Sequence, residues 1–236
     1  MSPNKKSNIS RKKSNKTLFL AIGIITIILI GIGAYIAVGQ SNQPASSSPT
    51  PTPTPTPTSS VTTSPTSETD PLYVGGTKVL LQTTAGNITL ELRNDKPITT
   101  ANFINIVNNG WYDGTTFHRV IAGFMIQGGQ ISQSIPAISD EIGSKNVNSA
   151  YTITMAKTAQ PNSATSEFFI NAADNSKIVY PDGSTFDGTY TVFGKVIAGQ
   201  SVVDAIANAQ VSADLYSGEM SVPVHPVSIT KATVIS

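Results

Sequence analysis

The chain of 236 residues has no cysteine. That excludes a disulfide framework, a thiol nucleophile and a thiolate metal site. It leaves the redox compartment open, since a Cys-free chain works on either side of a membrane. Histidine is nearly absent too: His118 and His225 stand far apart and suggest no metal cluster. Tryptophan occurs once, at Trp111. Basic charge is missing where a nucleic-acid binder would carry it. Six of the fifteen basic residues (Lys5, Lys6, Arg11, Lys12, Lys13 and Lys16) sit at the N-terminus without an acid among them. Beyond residue 70, nine basic residues face twelve acids, a net charge of −3. A mildly acidic domain of this kind argues against a nucleic-acid partner.

Charge of either sign is absent from Leu18 to Val38. Residues 17–38 are about long enough to cross a hydrocarbon core of roughly 30 Å. The basic flank at residues 1–16, with none following the span, predicts a cytoplasmic N-terminus and an extracytoplasmic C-terminal bulk. The span therefore reads as an uncleaved signal anchor and a membrane partner. The alternative is a cleaved signal peptide, for which the run is long and the small residues near Gly33, Ala34 and Ala37 form only a loose cleavage site. Residues 39–70 are rich in Ser, Thr and Pro, with Pro-Thr repeated from Pro49 to Thr58. No core forms from this composition, and alternating proline favours a semi-rigid polyproline spacer of about 3.1 Å per residue. A plain disordered stalk is the simplest reading; such tracts also accept O-glycans or proline-reading modules.

Residues 71–236 are long enough for one core. Lys78–Thr83 and Asn87–Leu92 flank Ala85-Gly86 as a β-hairpin, the second strand alternating through Ile88, Leu90 and Leu92. Thr99 or Thr100 is placed to cap a helix with the stripe Phe103, Ile106 and Val107, ended by Asn108-Asn109-Gly110. Further strands are predicted over 151–156, 167–171, 190–196 and 225–235. A second helix is predicted through Val202, Val203, Ile206 and Ala207, capped by Ser201. Residues 131–149 read as irregular. Many short strands and two helices predict a β-rich, closed antiparallel barrel with helices at its ends.

Phe117–Gly129 is the least ordinary stretch. Two strand-like pieces meet at the small residues Ala122 and Gly123, and alternation puts Phe117, Arg119 and Ile121 on one face. Phe124 and Ile126 point one way, Met125 and Gln127 the other. A guanidinium and an amide among Phe and Met make an apolar surface with a few fixed polar groups, as in a small binding site. The plainer alternative is two core strands with one exposed arginine.

Three ordered motifs carry a resemblance. Phe117-His118-Arg119 followed by Phe124-Met125-Ile126-Gln127-Gly128-Gly129 resembles the signature of the cyclophilins, the peptidyl-prolyl cis-trans isomerases. Met155-Ala156, the loop 161–166 and Phe168-Phe169-Ile170-Asn171 resemble their second motif in its bacterial form. Phe186-Asp187-Gly188, Val192–Val196 and Val202–Ile206 resemble the third. The resemblance runs from about Lys78 to the C-terminus. It implies an eight-stranded antiparallel barrel capped by two helices, proline-containing polypeptides as partners, and no cofactor or metal. The sequence gives no sign of oligomerisation, and a monomer is expected.

By its match to the motif, Arg119 would be the catalytic donor and Gln127 would hold it. Phe124, Met125 and Phe169 would form the proline pocket with Phe186 beside them. Ala156, Lys157 (through its backbone), Tyr190, Glu167 and His118 complete the implied substrate-binding set, His118 fitting a packing or hydrogen-bonding role as well as a chemical one. Three departures stand out. Glu167 replaces the usual glutamine, so a carboxylate is expected to pair with Arg119 or compete for it. Tyr190 stands where many eukaryotic members have histidine. Thr185 stands where cyclosporin-sensitive members have tryptophan, which implies weak cyclosporin binding. A low-turnover peptide-binding module on the same fold is the competing function.

Overall fold

The computed structural model describes residues 70–236. The basic tail, the apolar span 17–38 and the stalk to residue 69 lie outside the described residues. Among those that are described, no helix is long and apolar enough to cross a membrane.

The elements in chain order are β1 (Lys78–Thr83), β2 (Gly86–Leu92), α1 (Pro97–Asn108), β3 (Phe117–Ile121), β4 (Met125–Gly128), β5 (Thr152–Met155), β6 (Phe168–Asn171), β7 (Val192–Ala198), α2 (Gln200–Ala207), β8 (Val211–Ala213), β9 (Met220–Pro223) and β10 (Ile229–Val234). Eight of the strands form one antiparallel sheet in the order β10-β1-β2-β7-β5-β6-β4-β3, and β8 pairs with β9 as a separate hairpin. The sheet curls around Leu81, Ile88, Leu90, Phe117, Ile126, Ile153, Phe168 and Phe193, all fully buried. Phe103 of α1 enters this core and meets Tyr112 and Phe193 at 5.2 Å between ring centroids. α1 lies against β10, and α2 against β2, β3 and β4.

The expected closed barrel is corrected to a half-barrel. The ladder ends at β10 and β3, which meet only through the segment 114–117: Thr116 bridges Ser228, Phe117 N donates to Val227 O at 3.0 Å, Ile229 N to Thr115 O at 2.8 Å and Gly114 N to Ile229 O at 2.7 Å. The free edge of β10 is occupied instead by Asp113, which accepts from Ala232 N and Lys231 Nζ at 2.9 Å each. Pro226 lacks the N–H that a longer ladder would use. The expected strand from 225 thus begins only at Ile229. An extra residue at Thr230 then shifts its register, so that Ile229 and Ala232 are the residues buried.

Both helix caps also differ from expectation. Neither Thr99 nor Thr100 is the N-cap of α1; that position is Lys96, without a side-chain cap, and Pro97 takes the first turn, where no N–H is needed. The orphan amides are satisfied from 42 residues away by Glu141, which accepts from Thr99 N at 2.8 Å and Ile98 N at 3.2 Å. Glu141→Ala is expected to cost about 0.5–2 kcal/mol, the usual range for loss of an N-terminal cap, read as a lower denaturation midpoint with an unchanged slope. In α2 the cap is Gly199 rather than Ser201. Its φ of 90° suits glycine, and a Cβ there would collide with the Asn87 carbonyl.

Candidate active site

β3 and β4 form a hairpin whose turn is made possible by Gly123 at φ 68°. Arg119 pairs with Gln127 across it, while Phe117 pairs with Gly128, leaving His118 as an extra residue. This bulge reverses the side-chain alternation. Phe117 and Val120 face the core, whereas His118, Arg119 and Ile121 lie on the partly exposed face. The expected common face for Phe117, Arg119 and Ile121 is therefore corrected, and the arginine is carried out of the core by one inserted residue. Met125 and Gln127 of β4 reach the same face, and Ile126 the core, as alternation predicts, whereas Phe124, expected beside Ile126, precedes the strand and packs against the Met125 cluster.

β6 divides its side chains in the same way. Phe168 belongs to the main core and Phe169 to a second cluster with Met125, Phe186 and Tyr190, edged by Ile121, Phe124, Ala156, Ile178 and Tyr180. Ring centroids lie 5.7 Å apart for Phe169–Phe186, 5.6 Å for Phe169–Tyr190 and Phe124–Phe186, and 4.7 Å for Phe186–Tyr190. These distances suit edge and tilted aromatic packing. Burial pushes the Tyr190 phenol above its ordinary 10.0, with the Arg119 charge pulling the other way. The structure thus brings Phe124, Met125, Ala156, Phe169, Phe186 and Tyr190 together in one apolar floor.

A chain of polar contacts runs beside that floor. Arg119 Nε donates to Glu219 Oε2 at 2.7 Å and Nη2 to Oε1 at 2.8 Å, a bidentate pair. Its Nη1 donates to Gln127 Oε1 at 3.3 Å. Gln127 Nε2 donates to Glu167 Oε2 at 2.8 Å, and His118 Nε2 lies 3.3 Å from the same oxygen. Burial is the largest influence on Glu167 and raises its pKa. The hydrogen bond and charge of His118, with the bond from Gln127, nevertheless hold it below the ordinary 4.5. Glu219 is held below 4.5 first by the Arg119 hydrogen bonds, against burial. Both carboxylates are therefore ionised at neutral pH.

One expectation changes here. Glu167 makes no hydrogen bond to Arg119; it pairs with His118 and orients Gln127. A carboxylate only accepts, so it turns the Gln127 amide group toward itself and the Gln127 carbonyl toward Arg119. The acid that does pair with Arg119 is Glu219, which lies 100 residues away in the β8–β9 loop. Nothing in the local sequence of 208–224 marks it, because the contact exists only once that hairpin folds against β3. Lys157 turns its side chain away to Asp140, 2.6 Å from Nζ. Among the described residues its backbone N–H and C=O carry no hydrogen bond, whereas the neighbouring Ala156 N donates to Glu167 O. Thr185 is exposed at the rim. No group of His, Asp or Glu residues able to hold a metal is found among the described residues.

Comparison with known proteins agrees with this architecture. Residues 78–234 match the family "Cyclophilin type peptidyl-prolyl cis-trans isomerase/CLD". A peptidyl-prolyl cis-trans isomerase of Acinetobacter baylyi is 43% identical over 170 residues, 69% of this chain and 88% of the relative. Isomerase A of Dickeya dadantii is 43% identical over 166 residues, 67% of this chain and 85% of its own. A cyclophilin-type isomerase of Cryptosporidium parvum, crystallised in the presence of the dipeptide Ala-Pro, superposes with a TM-score of 0.55 at 27% identity, covering 67% of this chain and 99% of that one. The chain belongs to the cyclophilin-type peptidyl-prolyl cis-trans isomerases, and like its bacterial relatives it is an enzyme of that activity.

Proposed function

We propose that this enzyme accelerates X–Pro rotation in exported or surface polypeptides, with Arg119 stabilising the twisted amide above the aromatic floor. The uncatalysed barrier is roughly 20 kcal/mol because the amide is conjugated. As the bond twists, conjugation is lost and the prolyl nitrogen regains a lone pair. A donor aimed at that nitrogen binds the twisted state more strongly than either planar state, and that difference is what lowers the barrier. No covalent bond breaks, so no nucleophile or cofactor is called for.

The observation carrying this reading is the meeting of Arg119 with a buried aromatic cluster on one face. Arginine has five N–H donors, and three are engaged by Glu219 and Gln127. One on Nη1 and one on Nη2 remain for substrate. Met125, Phe169 and Phe186 would grip the ring, with Phe124 and Tyr190 as walls. The unpaired backbone of Lys157, beside Ala156, would bond an extended substrate by strand addition. The Ala-Pro dipeptide present with the Cryptosporidium parvum relative is in keeping with proline-containing peptides as ligands. A protease-coupled assay on the full chain tests the proposal.

Glu167 acts through Gln127 in this scheme. Glu167→Gln removes the constraint on the Gln127 amide and is expected to change kcat/KM by about 2- to 10-fold, the order of one weakened hydrogen bond. An unchanged value would remove Glu167 from the catalytic network.

The alternative of a low-turnover peptide binder has one observation in its favour, the capture of the Arg119 fork by Glu219. Peptide binding without acceleration in the same assay would select it. For location, the apolar run of residues 17–38 and the basic residues before it support a single-pass anchor with the domain outside. Protein extracted from membranes is then expected to retain its N-terminal basic segment; a mature start near Gln40 would contradict the anchor.

A further inference from the structure

We propose that Glu219 is a specificity-determining residue, disfavouring substrates with an acidic side chain next to the proline and favouring those with a basic one. The inference rests on the isomerase reading of the groove. Arg119 is matched by two ionised carboxylates, Glu219 and Glu167, while the lysine beside the groove, Lys157, is itself paired with Asp140. His118 is the only other titratable basic group in this chain of contacts, and its ring nitrogen is turned to Glu167.

Both members of the Arg119–Glu219 pair remain about a quarter exposed, at 26% and 28%. They therefore lie at the groove surface, within reach of a bound peptide's side chains. Glu219 is not a chance visitor on a loose loop. Asp214 Oδ1 accepts from Tyr216 N at 3.0 Å, Ser217 N at 2.8 Å and Ser217 Oγ at 2.9 Å. Asp214 N donates to Glu219 O at 2.8 Å, and Gly218 N to Asp214 O at 2.8 Å. Asp214 adds a further negative charge behind Glu219. The loop thus presents a fixed acidic shoulder against the catalytic cation.

An acidic peptide side chain drawn toward Arg119 meets a guanidinium whose charge is already neutralised, and feels the net negative potential of its surroundings. A lysine or arginine side chain gains from the same field. Such complementarity alters partner choice more than the chemical step, so the effect belongs in KM.

The test uses the full chain and peptides that differ only in one Lys, Ala or Glu placed directly before or directly after a single proline. For the natural protein the Lys peptide is expected to exceed the Glu peptide in kcat/KM by about tenfold on at least one side, mainly through KM. The ratio should fall toward one in Glu219→Gln, which keeps an acceptor for Arg119 while removing the charge, and at about 0.5 M salt, where the screening length is short. Equal values for Lys and Glu peptides on both sides, or a ratio untouched by Glu219→Gln, would overturn the proposal. Turnover of the Ala peptide reports separately on the isomerase reading. Should it be absent, the same ratio is read from peptide dissociation constants by NMR titration, with the same two outcomes.

Discussion

Arg119→Ala is expected to lower kcat/KM for a proline-containing peptide by about 100- to 1000-fold, the scale on which removal of one preorganised transition-state donor acts. The loss should fall on kcat, because the donor matters most when the bond is twisted. The same change should barely alter the fold. Arg119 and Glu219 are partly solvated, and exposed pairs contribute only about 0–1 kcal/mol. The unfolding midpoint is therefore expected to hold while activity collapses. Arg119→Lys should recover little, since an ammonium lacks the planar fork that meets Glu219 on one edge and Gln127 on the other. Activity within a few-fold of the natural protein in Arg119→Ala would remove the arginine from the mechanism and leave the aromatic floor alone to explain any rate enhancement.

Phe168→Ala should have the opposite profile. Its ring is fully buried, with Tyr112 at 5.4 Å, Phe103 at 5.6 Å and Phe117 at 6.2 Å between centroids. Truncating a core phenylalanine costs about 3–5 kcal/mol, against a total stability of about 5–15 kcal/mol for a domain. The neighbouring glycine shows how tight this region is. A Cβ on Gly129 would lie 2.7 Å from the Phe168 ring, so the surrounding chain has little slack with which to fill the cavity. The next residue provides the contrast. Phe169 lies in the second, smaller cluster with Met125, Phe186 and Tyr190. Phe169→Ala is expected to lose less stability than Phe168→Ala and to lower kcat/KM at least tenfold through the lost grip on the proline ring. Chemical denaturation and the isomerase assay on both variants check the pair. Equal stability losses with no difference in activity would mean that β6 does not separate core from site as its alternation indicates.

Most of the apolar floor was legible in the sequence, whereas the division of Phe168 to the core and Phe169 to the floor came from the structure. Phe124, Met125, Phe169, Phe186 and Tyr190 lie in motifs whose order and spacing are local properties. The helix stripe Phe103, Ile106 and Val107 was legible for the same reason and is buried as periodicity requires. What the sequence concealed depends on contacts between distant segments. The bulge at His118 is invisible to simple alternation, yet it decides which face Arg119 occupies. Glu141 caps α1 across 42 residues, and Glu219 reaches Arg119 across 100, where no short-range pattern could point. The open edge of β10 has a similar cause, since Asp113 occupies it from a turn that reads only as a connection. Glu167 shows how a residue singled out in the sequence can take a different partner. Its departure from glutamine was evident, but its contacts with Gln127 and His118 were not.

Catalysed exchange within a single peptide provides the most direct test. Two-dimensional NMR exchange spectroscopy on a peptide with one X–Pro bond, with the full chain at substoichiometric concentration, reads cis–trans interconversion without a coupled protease. Uncatalysed exchange takes about 10–100 s and leaves no cross-peaks at mixing times below one second. With the natural protein, cross-peaks between the cis and trans resonances are expected at those mixing times, and Arg119→Ala should abolish them while the peptide still binds. Peptide shifts that move on binding without any exchange cross-peaks, or cross-peaks of equal strength with Arg119→Ala, would contradict the central role given to Arg119.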